Sequence, residues 1–291
     1  MAIEAPGGTV EFGGRAVARI GFGAMQLTEA AVERRVAVDV LRRAVELGVN
    51  HVDTAGFYGA GACNALIREA LFPYPEELVL VSKVGAEHAG RAGLVPAQRP
   101  EQLRSGVEAD LASLGVERVD VVNLRRLDAP PGLLAEGDQL VDLDSQVAEL
   151  VALREEGKIG GIGLSNVDAD QVRRVLPAGV VCVQNGYNVL DRSHESTLEA
   201  CREHGIAWVP FFPLGSAFSG LPRVTESPEV GAVAGSLGVT PAQVGLAWLL
   251  ARYPRTLLIP GTADRAHLEQ NVAAGSVRLD ADVLDVLDRV A

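Results

Sequence analysis

The 291-residue sequence predicts an α/β fold, an eight-stranded parallel (β/α)8 TIM barrel with an N-terminal β-hairpin, formed as a single domain over residues 1–291. Eight short apolar segments alternate with helical segments, and such alternation implies parallel strands joined by right-handed crossovers. The length suits a barrel, which typically has about 250 residues. The competing open, doubly wound sheet should carry GxGxxG after its first strand. Here that fingerprint is incomplete, because Gln26 stands three positions beyond Gly23.

The elements follow in order along the chain. The hairpin is predicted at residues 9–12 and 15–20, because these segments flank the turn residues Gly13-Gly14. Strands are predicted at the short apolar segments 19–24, 49–53, 78–82, 119–124, 160–164, 180–184, 207–210 and 256–259. Helices are predicted where apolar residues recur at a helical period or where Pro and Gly mark the ends. These are residues 30–47, 64–71, 100–114, 140–156, 169–176, 196–204, 241–252, 265–274 and 280–290.

The composition is that of a globular protein, with 48% hydrophobic and 22% charged residues, and it excludes a disordered chain or a fibre. The formal net charge of −12 argues against nucleic acid or an anionic membrane as the main partner. Cys63, Cys182 and Cys201 form no CxxC motif and the five histidines show no ligand spacing, so no disulfide scaffold and no metal site are expected. The sequence shows no signal-peptide pattern, no stretch of about 20 apolar residues and no heptad run. We therefore expect a cytoplasmic monomer.

Polar residues stand at the carboxyl ends of several predicted strands, on the face where TIM barrels carry their sites. They are Asp53, Lys83, Asn123, Arg125, Ser165, Asn166, Gln184 and Asn185. The longest irregular stretches, residues 85–99, 125–139 and 214–228, also follow strands and therefore open on this face. Each polar residue alone could cap a helix, close a turn or lie in solvent, but together they predict an active site.

Asp53 and Lys83 of these strand-end residues form a chemically coherent set with Tyr58, which lies five residues after Asp53 in the same loop. A phenol has a pKa near 10 and is a poor acid at neutral pH, and a nearby ammonium is expected to lower that pKa. A carboxylate beside the ammonium would hold it charged and in position. Of the 26 Lys and Arg residues only Lys83 and Lys158 are lysines, and Arg cannot supply a compact amine of adjustable pKa. The set predicts a tyrosine that donates a proton to a developing alkoxide, as carbonyl reduction requires.

Several segments together resemble the aldo-keto reductase family, in the family's order from about residue 18 to residue 275. They are GFGAMQL, GVNHVDTAGFYG, LVSKVG, GGIGLSN, VQNGYN, PFFPLG, GLAWLL and IPGTADRAHLEQN. The resemblance implies an eight-stranded barrel with an N-terminal hairpin, which agrees with the prediction from the residues. It also implies reduction of aldehydes and ketones, mostly with NADPH held extended and without a dinucleotide-binding fold.

The resemblance places Asp53, Tyr58 and Lys83 on three members of the family's catalytic tetrad, with Tyr58 as the proton donor. The fourth member is usually a His, but the matching stretch VDVVNLRR has Arg125 at that position. Arg can donate hydrogen bonds to a carbonyl oxygen and add positive charge, but it cannot shuttle a proton. Two interpretations stay open: Arg125 contacts the substrate, or it turns away to pair with Asp128 or with a substrate phosphate.

The resemblance also implies a set of residues that bind the cofactor, NADPH (NADP+). They are Gly23, Ala24 and Met25 after the first strand, Ser165, Asn166 and Gln184 at the carboxamide, Phe211 on the nicotinamide ring, Leu214 and Gly215 at the pyrophosphate, and Gly261, Thr262, Arg265, Gln270 and Asn271 at the adenosine end. Many family members have Lys where Gly261 stands, so the clamp on the 2′-phosphate is altered. Thr262, Arg265 and His267 at a helix start could still bind it, and NADPH is favoured over NADH.

The expected partner is a small-molecule carbonyl substrate, and the predicted walls of its pocket include Phe57, Arg126 and Phe218. The combined motifs also resemble a bacterial branch of the family that contains pyridoxal reductases, and Arg125 is part of that resemblance. Pyridoxal is a small polar aldehyde with a phenolic oxygen that Arg125 could meet. The alternatives are an aldehyde or ketone reductase of a biosynthetic pathway, a non-catalytic NADPH-binding sensor or regulatory subunit, and a scaffold whose activity has lapsed.

Overall fold

The computed structural model describes residues 5–29, 31–130, 132–215 and 222–290, and it confirms the predicted α/β barrel class. The strands are β1 (Thr9–Phe12), β2 (Arg15–Ala18), β3 (Phe22–Gly23), β4 (His51–Asp53), β5 (Val79–Val84), β6 (Ala86–His88), β7 (Leu94–Pro96), β8 (Val119–Arg125), β9 (Ile159–Ser165), β10 (Val180–Gln184) and β11 (Ala207–Trp208). Seven of them form one parallel sheet in the order β11-β10-β9-β8-β5-β4-β3. The curl of this sheet brings its two edge strands, β3 and β11, towards each other.

The predicted eighth strand, residues 256–259, lies between those two edges. It is joined to each by one isolated parallel bridge, from Thr256 to Trp208 on one side and from Leu258 to Ile20 on the other. The segment therefore closes the barrel as predicted, but its pairing is too short to form a regular strand.

Arg19 reinforces the seam between the first and last barrel segments. Its carbonyl accepts a hydrogen bond from Leu258 N, and Gly21 N donates to Leu258 O, both at 2.8 Å. Its half-buried guanidinium donates to backbone carbonyls of residues 250–256, which lead into the eighth segment. These are Leu250 O at 2.6 Å, Tyr253 O at 2.9 Å and Thr256 O at 3.2 Å. Distant parts of the sequence are thus tied together directly.

The helices cover the outside of the sheet. They are α1 (Arg34–Glu46), α2 (Ala62–Leu71), α3 (Pro100–Leu114), α4 (Leu143–Glu155), α5 (Ala169–Arg174), α6 (Glu195–His204), α7 (Pro228–Leu237), α8 (Pro241–Arg252), α9 (Arg265–Ala273) and α10 (Ala281–Leu287). Nine of them correspond to predicted helices, mostly shorter than predicted at one end. The first is predicted from Ala30, which lies outside the described residues, and begins at Arg34.

Two elements were not predicted. Helix α7 begins at Pro228 after Ser227, whose hydroxyl accepts from Val230 N, and ends before Gly238, which has a φ of +65°. These are ordinary start and stop signals, and the sequence prediction missed them. The second element is the antiparallel pair β6–β7, which folds the stretch after β5 into a small hairpin on the carboxyl face of the barrel.

The core has two parts. Most apolar side chains lie between the sheet and the helices. A smaller cluster fills the inside of the barrel, where Val10, Phe12 and Val17 of the β1–β2 hairpin pack against Val81 and Val121 of the barrel strands. The hairpin therefore plugs the amino-terminal end of the barrel, and the carboxyl ends of the strands are left for a site.

Within the described ranges, no single helix has the length and apolar composition to cross a membrane. The pair α7 and α8 meets that test only when the two are counted together across a bend of 94°. In the same ranges, His, Cys, Asp and Glu side chains form no group of three that could hold a metal ion.

Candidate active site

The sheet register brings the predicted site residues to one end of the barrel. Asp53 pairs with Val81 across β4 and β5, and Lys83, two residues further along β5, pairs with Asn123 of β8. Arg125 pairs with Ser165 across β8 and β9. Because all these strands are parallel, their last side chains meet at the same edge. Tyr58 follows β4 within five residues and begins a short 3-10 turn there.

Asp53 and Lys83 form a buried ion pair. The Lys83 ammonium donates to Asp53 Oδ1 in a short contact and to Thr54 O at 3.1 Å. The other carboxylate oxygen, Asp53 Oδ2, accepts from Gln184 Nε2 at 2.9 Å. Burial lowers the pKa of Lys83, but the Asp53 carboxylate and Tyr58 outweigh it, so the net pKa lies above its usual range. Lys83 is therefore a fixed positive charge at neutral pH.

Tyr58 lies beside that charge. Lys83 Nζ is 5.0 Å from the centroid of the Tyr58 ring, and Phe57 packs edge-on against the same ring at 5.2 Å. Burial raises the pKa of Tyr58 and outweighs the opposing effects of Lys83 and Arg125. Lys83 lowers this pKa as expected, but burial has the larger effect, so the net pKa of Tyr58 in the free site lies above its usual range. The phenol stays protonated at neutral pH, as a proton donor must before it reacts.

Arg125 lies at the same edge, half-buried. Its guanidinium carbon is 5.8 Å from the centroid of the Phe57 ring. Burial lowers the pKa of Arg125, while Tyr58 raises it. No carboxylate in the part of the chain that the structure describes pairs with this guanidinium. The interpretation in which Arg125 turns away to Asp128 is wrong, because Asp128 is paired with Arg126 instead.

The Arg126 side chain does not reach the site, so its prediction as a substrate residue is wrong. Its side chain is 8% exposed and pairs with Asp128 Oδ2 at 2.6 Å. It also donates to Val141 O at 2.9 Å and, in a short contact, to Gln146 Oε1. The pairing holds the pKa of Asp128 below its usual range, although burial alone would raise it. Strand alternation explains the difference, since neighbouring residues at a strand end point in opposite directions.

The residues expected at the carboxamide are adjacent at the ends of β9 and β10. Gln184 pairs with Ser165 in the sheet, and both are buried. Asn166 has a φ of +59° and its amide donates to Arg126 O at 3.2 Å and to Ala129 O at 2.8 Å. Gln184 Oε1 is buried and has no hydrogen-bond partner in the described part of the chain. This acceptor fits a donor from a bound amide.

Phe211 offers a flat face near this edge. It is half-buried and packs close to the backbone of Gly186, where a side-chain carbon would come within 3.2 Å of the ring and would push it slightly outward. The Gly215 amide already donates to Phe212 O at 3.0 Å, so in this conformation it is not available to a pyrophosphate, contrary to prediction. Leu214 precedes it and packs against the core. Phe218, the third predicted substrate residue, lies outside the described residues.

The residues expected at the adenosine end lie just before α9 and along it. Arg265 is exposed and pairs with Glu269 at 3.4 Å. Thr262 Oγ1 accepts from Asp264 N at 3.0 Å. Gln270 is half-buried and its carbonyl accepts from Gln243 Nε2 at 3.2 Å, while Asn271 is buried on the inner face of α9.

Gly261 and the end of β3 are in close contact. A side-chain carbon at Gly261 would lie 2.4 Å from Gly23 O and 2.0 Å from Gln26 Oε1. The Gln26 side chain therefore covers the position where many family members carry a Lys side chain, and no side chain fits at Gly261. Ala24, whose amide donates to Asp53 O at 2.9 Å, joins this segment to the site, and Met25 beyond it is 40% exposed.

Asn123 and Asn185, two of the polar residues predicted at the strand ends, point away from the open carboxyl end of the barrel. Asn123 accepts from Cys182 Sγ at 3.3 Å inside the barrel, where both line a small cavity beneath Asp53. Asn185 holds the turn after β9, since its amide donates to Val167 O at 2.6 Å and its oxygen accepts from Val167 N at 3.1 Å.

Sequence reasoning missed a second group of buried polar residues behind the site. They are Thr54, Asn64, Ser82 and Asp110. Asp110 carries a detectable signal, because it occupies one position of the apolar stripe Leu103, Val107, Asp110 and Leu114 of α3. An acidic residue in a core-facing stripe needs buried partners.

Comparisons with known proteins agree with this geometry. The family model described as "Aldo/keto reductase family" matches residues 19–291. Pyridoxine 4-dehydrogenase of Escherichia coli is 43% identical over 289 residues, covering 97% of this chain and 98% of that protein. An uncharacterized oxidoreductase of Schizosaccharomyces pombe is 35% identical, covering 97% of this chain and 89% of that protein. An aldo-keto reductase from Klebsiella pneumoniae, solved in complex with NADPH, superimposes with a TM-score of 0.80 at 29% identity, covering 100% of this chain and 95% of that one.

Proposed function

Because this chain belongs to the aldo/keto reductase family and is an NADP-dependent oxidoreductase acting on carbonyl or alcohol groups, we propose that it reduces pyridoxal to pyridoxine with Tyr58 as the proton donor. The observation that carries the proposal is the buried Asp53–Lys83 pair beside the half-buried Tyr58. A protonated phenol next to a fixed cation is suited to give its proton to a carbonyl oxygen.

The residues present fit NADPH at three places. Gln184 Oε1 is a buried acceptor without a partner in the described ranges, and Ser165 and Asn166 lie beside it, where they would hold the carboxamide. Phe211 would stack on the ring. Arg265, exposed at the start of α9, would meet the 2′-phosphate. When bound, NADPH supplies the hydride that the carbonyl carbon receives.

The chain's own residues supply the proton and the electrostatics. The Tyr58 hydroxyl donates its proton to the carbonyl oxygen as negative charge develops there. Lys83 stabilises the resulting phenolate, and Asp53 holds Lys83 by accepting a hydrogen bond from its ammonium. Arg125, whose positive charge lowers the pKa of the same phenol, adds a second favourable charge on the substrate side. The product alcohol keeps the Tyr58 proton, and solvent returns one to the phenolate.

Arg125 favours a substrate that carries an anionic oxygen in addition to its aldehyde group. A half-buried guanidinium without a carboxylate partner in the described ranges can accept an anionic partner from the substrate. Pyridoxal carries a phenolic oxygen next to its aldehyde, at a distance that lets one site contact both. The 43% identical Escherichia coli relative is named for oxidation of pyridoxine at position 4, which is the reverse reaction.

The test is NADPH consumption, followed at 340 nm, with pyridoxal and with two matched aldehydes, salicylaldehyde and benzaldehyde. We expect turnover with pyridoxal, preference for salicylaldehyde over benzaldehyde, and loss of about 10²-fold or more in kcat for Tyr58→Phe. Arg125→Gln should remove the preference for the ortho-hydroxyl group. Turnover with other carbonyls alone would refute the choice of substrate and keep the mechanism. Tight NADPH binding without any turnover would refute the catalytic proposal and favour a sensor.

The cytoplasmic location and the monomeric state stay predictions. Size-exclusion chromatography would check the monomeric state.

A further inference from the structure

A buried hydrogen-bond network lies directly behind the active site. We call it the Asp110 network, and it consists of Thr54, Asn64, Ser82, Asp110 and Ser113. Its first four members are 1% exposed or less. It joins the loop after β4, helix α2, strand β5 and helix α3.

Asp110 is the central acceptor. Its Oδ1 accepts from Asn64 Nδ2 at 2.9 Å, and its Oδ2 accepts from Ser82 Oγ at 2.6 Å. Asn64 Nδ2 also donates to Ser113 Oγ at 3.0 Å, and Asn64 Oδ1 accepts from Thr54 Oγ1 at 2.8 Å. Every donor and acceptor of the Asn64 amide is therefore used. A carboxylate is the side chain that accepts both buried donors at once.

The network reaches the catalytic residues through backbone atoms. Thr54, which directly follows Asp53, accepts a hydrogen bond on its carbonyl from Lys83 Nζ at 3.1 Å. Ser82 directly precedes Lys83 on β5. Asp110 Oδ1 lies against Gly56, where an added side-chain carbon would be only 2.5 Å away. The carboxylate thus contacts the loop two residues before Tyr58.

We propose that Asp110 is a positioning residue, which fixes the loop from Asp53 to Tyr58 against Lys83 without contacting substrate or cofactor. An apolar residue at this place in the α3 stripe would suit the core but would leave Asn64 Nδ2 with one partner fewer and Ser82 Oγ with none. A buried donor without a partner lowers the stability of the fold. The loop from Asp53 to Tyr58 is the least regular of the neighbouring elements, so it is the one expected to shift and give these donors new partners. The consequence would be a misplaced Tyr58 hydroxyl.

The experiment compares Asp110→Ala, Asp110→Asn and a matched control, Leu103→Ala, which removes a buried side chain from the same face of α3 without touching the network. Hydrogen–deuterium exchange of the amides of residues 54–58 is measured by mass spectrometry on each protein without substrate or cofactor. The kcat and KM for the best carbonyl substrate are then measured at a temperature where all variants are folded.

We expect Asp110→Ala to speed the exchange of residues 54–58 by about 10-fold relative to Leu103→Ala. Its kcat should fall by about 10- to 100-fold while KM changes by less than about 2-fold, because a displacement near 1 Å at the reacting atoms costs that much. Asp110→Asn keeps the shape and one acceptor but sets an amide donor against one of the two buried donors, so it should show the same two changes to a smaller, measurable extent. It also carries the test by itself if Asp110→Ala does not fold.

Equal exchange and equal kcat in Asp110→Ala and Leu103→Ala would overturn the proposal, and so would wild-type behaviour of Asp110→Asn if Asp110→Ala does not fold. So would a loss of activity that appears only in KM. The inference rests on the proposed reductase function only for its kinetic readout. A wild-type protein that reduces no carbonyl would refute the proposed function, while the exchange measurement would still decide the positioning role.

Discussion

Arg125 and Arg126 are adjacent in sequence and are expected to respond to substitution in opposite ways. Arg126→Ala should lower the stability of the fold and leave KM for the carbonyl substrate unchanged. Arg125→Ala should raise KM and leave the stability nearly unchanged. The difference follows from their surroundings. The buried Arg126 guanidinium donates hydrogen bonds to three partners, whereas Arg125 has no carboxylate partner in the part of the chain that the structure describes.

The size of the Arg126 effect follows from the groups it would leave behind. Val141 O and Gln146 Oε1 would each lose a donor, at about 1–3 kcal/mol apiece for a buried group. Asp128 would lose its cation but keep the hydrogen bond from Gln171 Nε2 at 2.9 Å. Together these losses amount to about 2–4 kcal/mol, almost all of it from Val141 O and Gln146 Oε1, because Asp128 stays in contact with solvent. For a chain of this size that corresponds to a fall in Tm of roughly 5–10 °C.

The assay is thermal unfolding followed by circular dichroism, together with Michaelis–Menten kinetics at 25 °C on both variants. Arg125→Ala is the matched control, since it removes the same side chain one residue away. If Arg126→Ala left Tm unchanged and raised KM, the structural role of Arg126 would be refuted. Arg126 would then be a substrate-binding residue, as the sequence predicted.

Two further predictions concern packing and pH. Gly261→Ala should lower Tm and weaken NADPH binding, as measured by fluorescence. The new methyl group would lie 2.4 Å from Gly23 O, a backbone atom that cannot move freely. An unchanged Tm would contradict this packing. Burial raises the pKa of Asp110 to about 6 in the folded protein, above its unfolded value, despite the hydrogen bonds from Ser82 and Asn64. Its contribution to stability is therefore fully present below the unfolded pKa of about 3.9 and is lost as the pH rises through the folded pKa of about 6, by about 3 kcal/mol in total. In urea titrations, the stability of wild type minus that of Asp110→Asn should accordingly fall between about pH 4 and pH 6, and a flat difference would contradict the shift.

The barrel and the position of its site follow from local patterns in the sequence. Apolar segments of strand length alternate with helical ones, and polar residues stand where each strand ends, so the fold brings Asp53, Lys83 and Gln184 together as predicted. The eighth segment was predicted as a full strand but forms single bridges on each side, because its pairing depends on how two distant edges approach. Such geometry is set by the closed sheet and not by the segment's own residues.

Side-chain direction and burial were harder to predict. Arg125 and Arg126 differ by one position at the end of β8, and only the alternation at the strand end decides which of them faces the mouth. Tyr58 has a raised pKa because the whole site is buried, an effect that no neighbouring residue in the sequence reports. Asp110 was missed because its partners Asn64 and Ser82 come from two other elements, far away in sequence.

The seam between Arg19 and Leu258 has a consequence for how the chain is made. Both hydrogen bonds of that seam join residues almost 240 positions apart, so β3 cannot be covered on its open side until nearly all of the protein has left the ribosome. During synthesis the growing sheet has two exposed edges, β3 and whichever strand was added last. Such edges are templates for pairing with other chains. The growing sheet is therefore open to such pairing until the eighth segment is made, and a chain stopped before residue 256 would be an aggregation hazard.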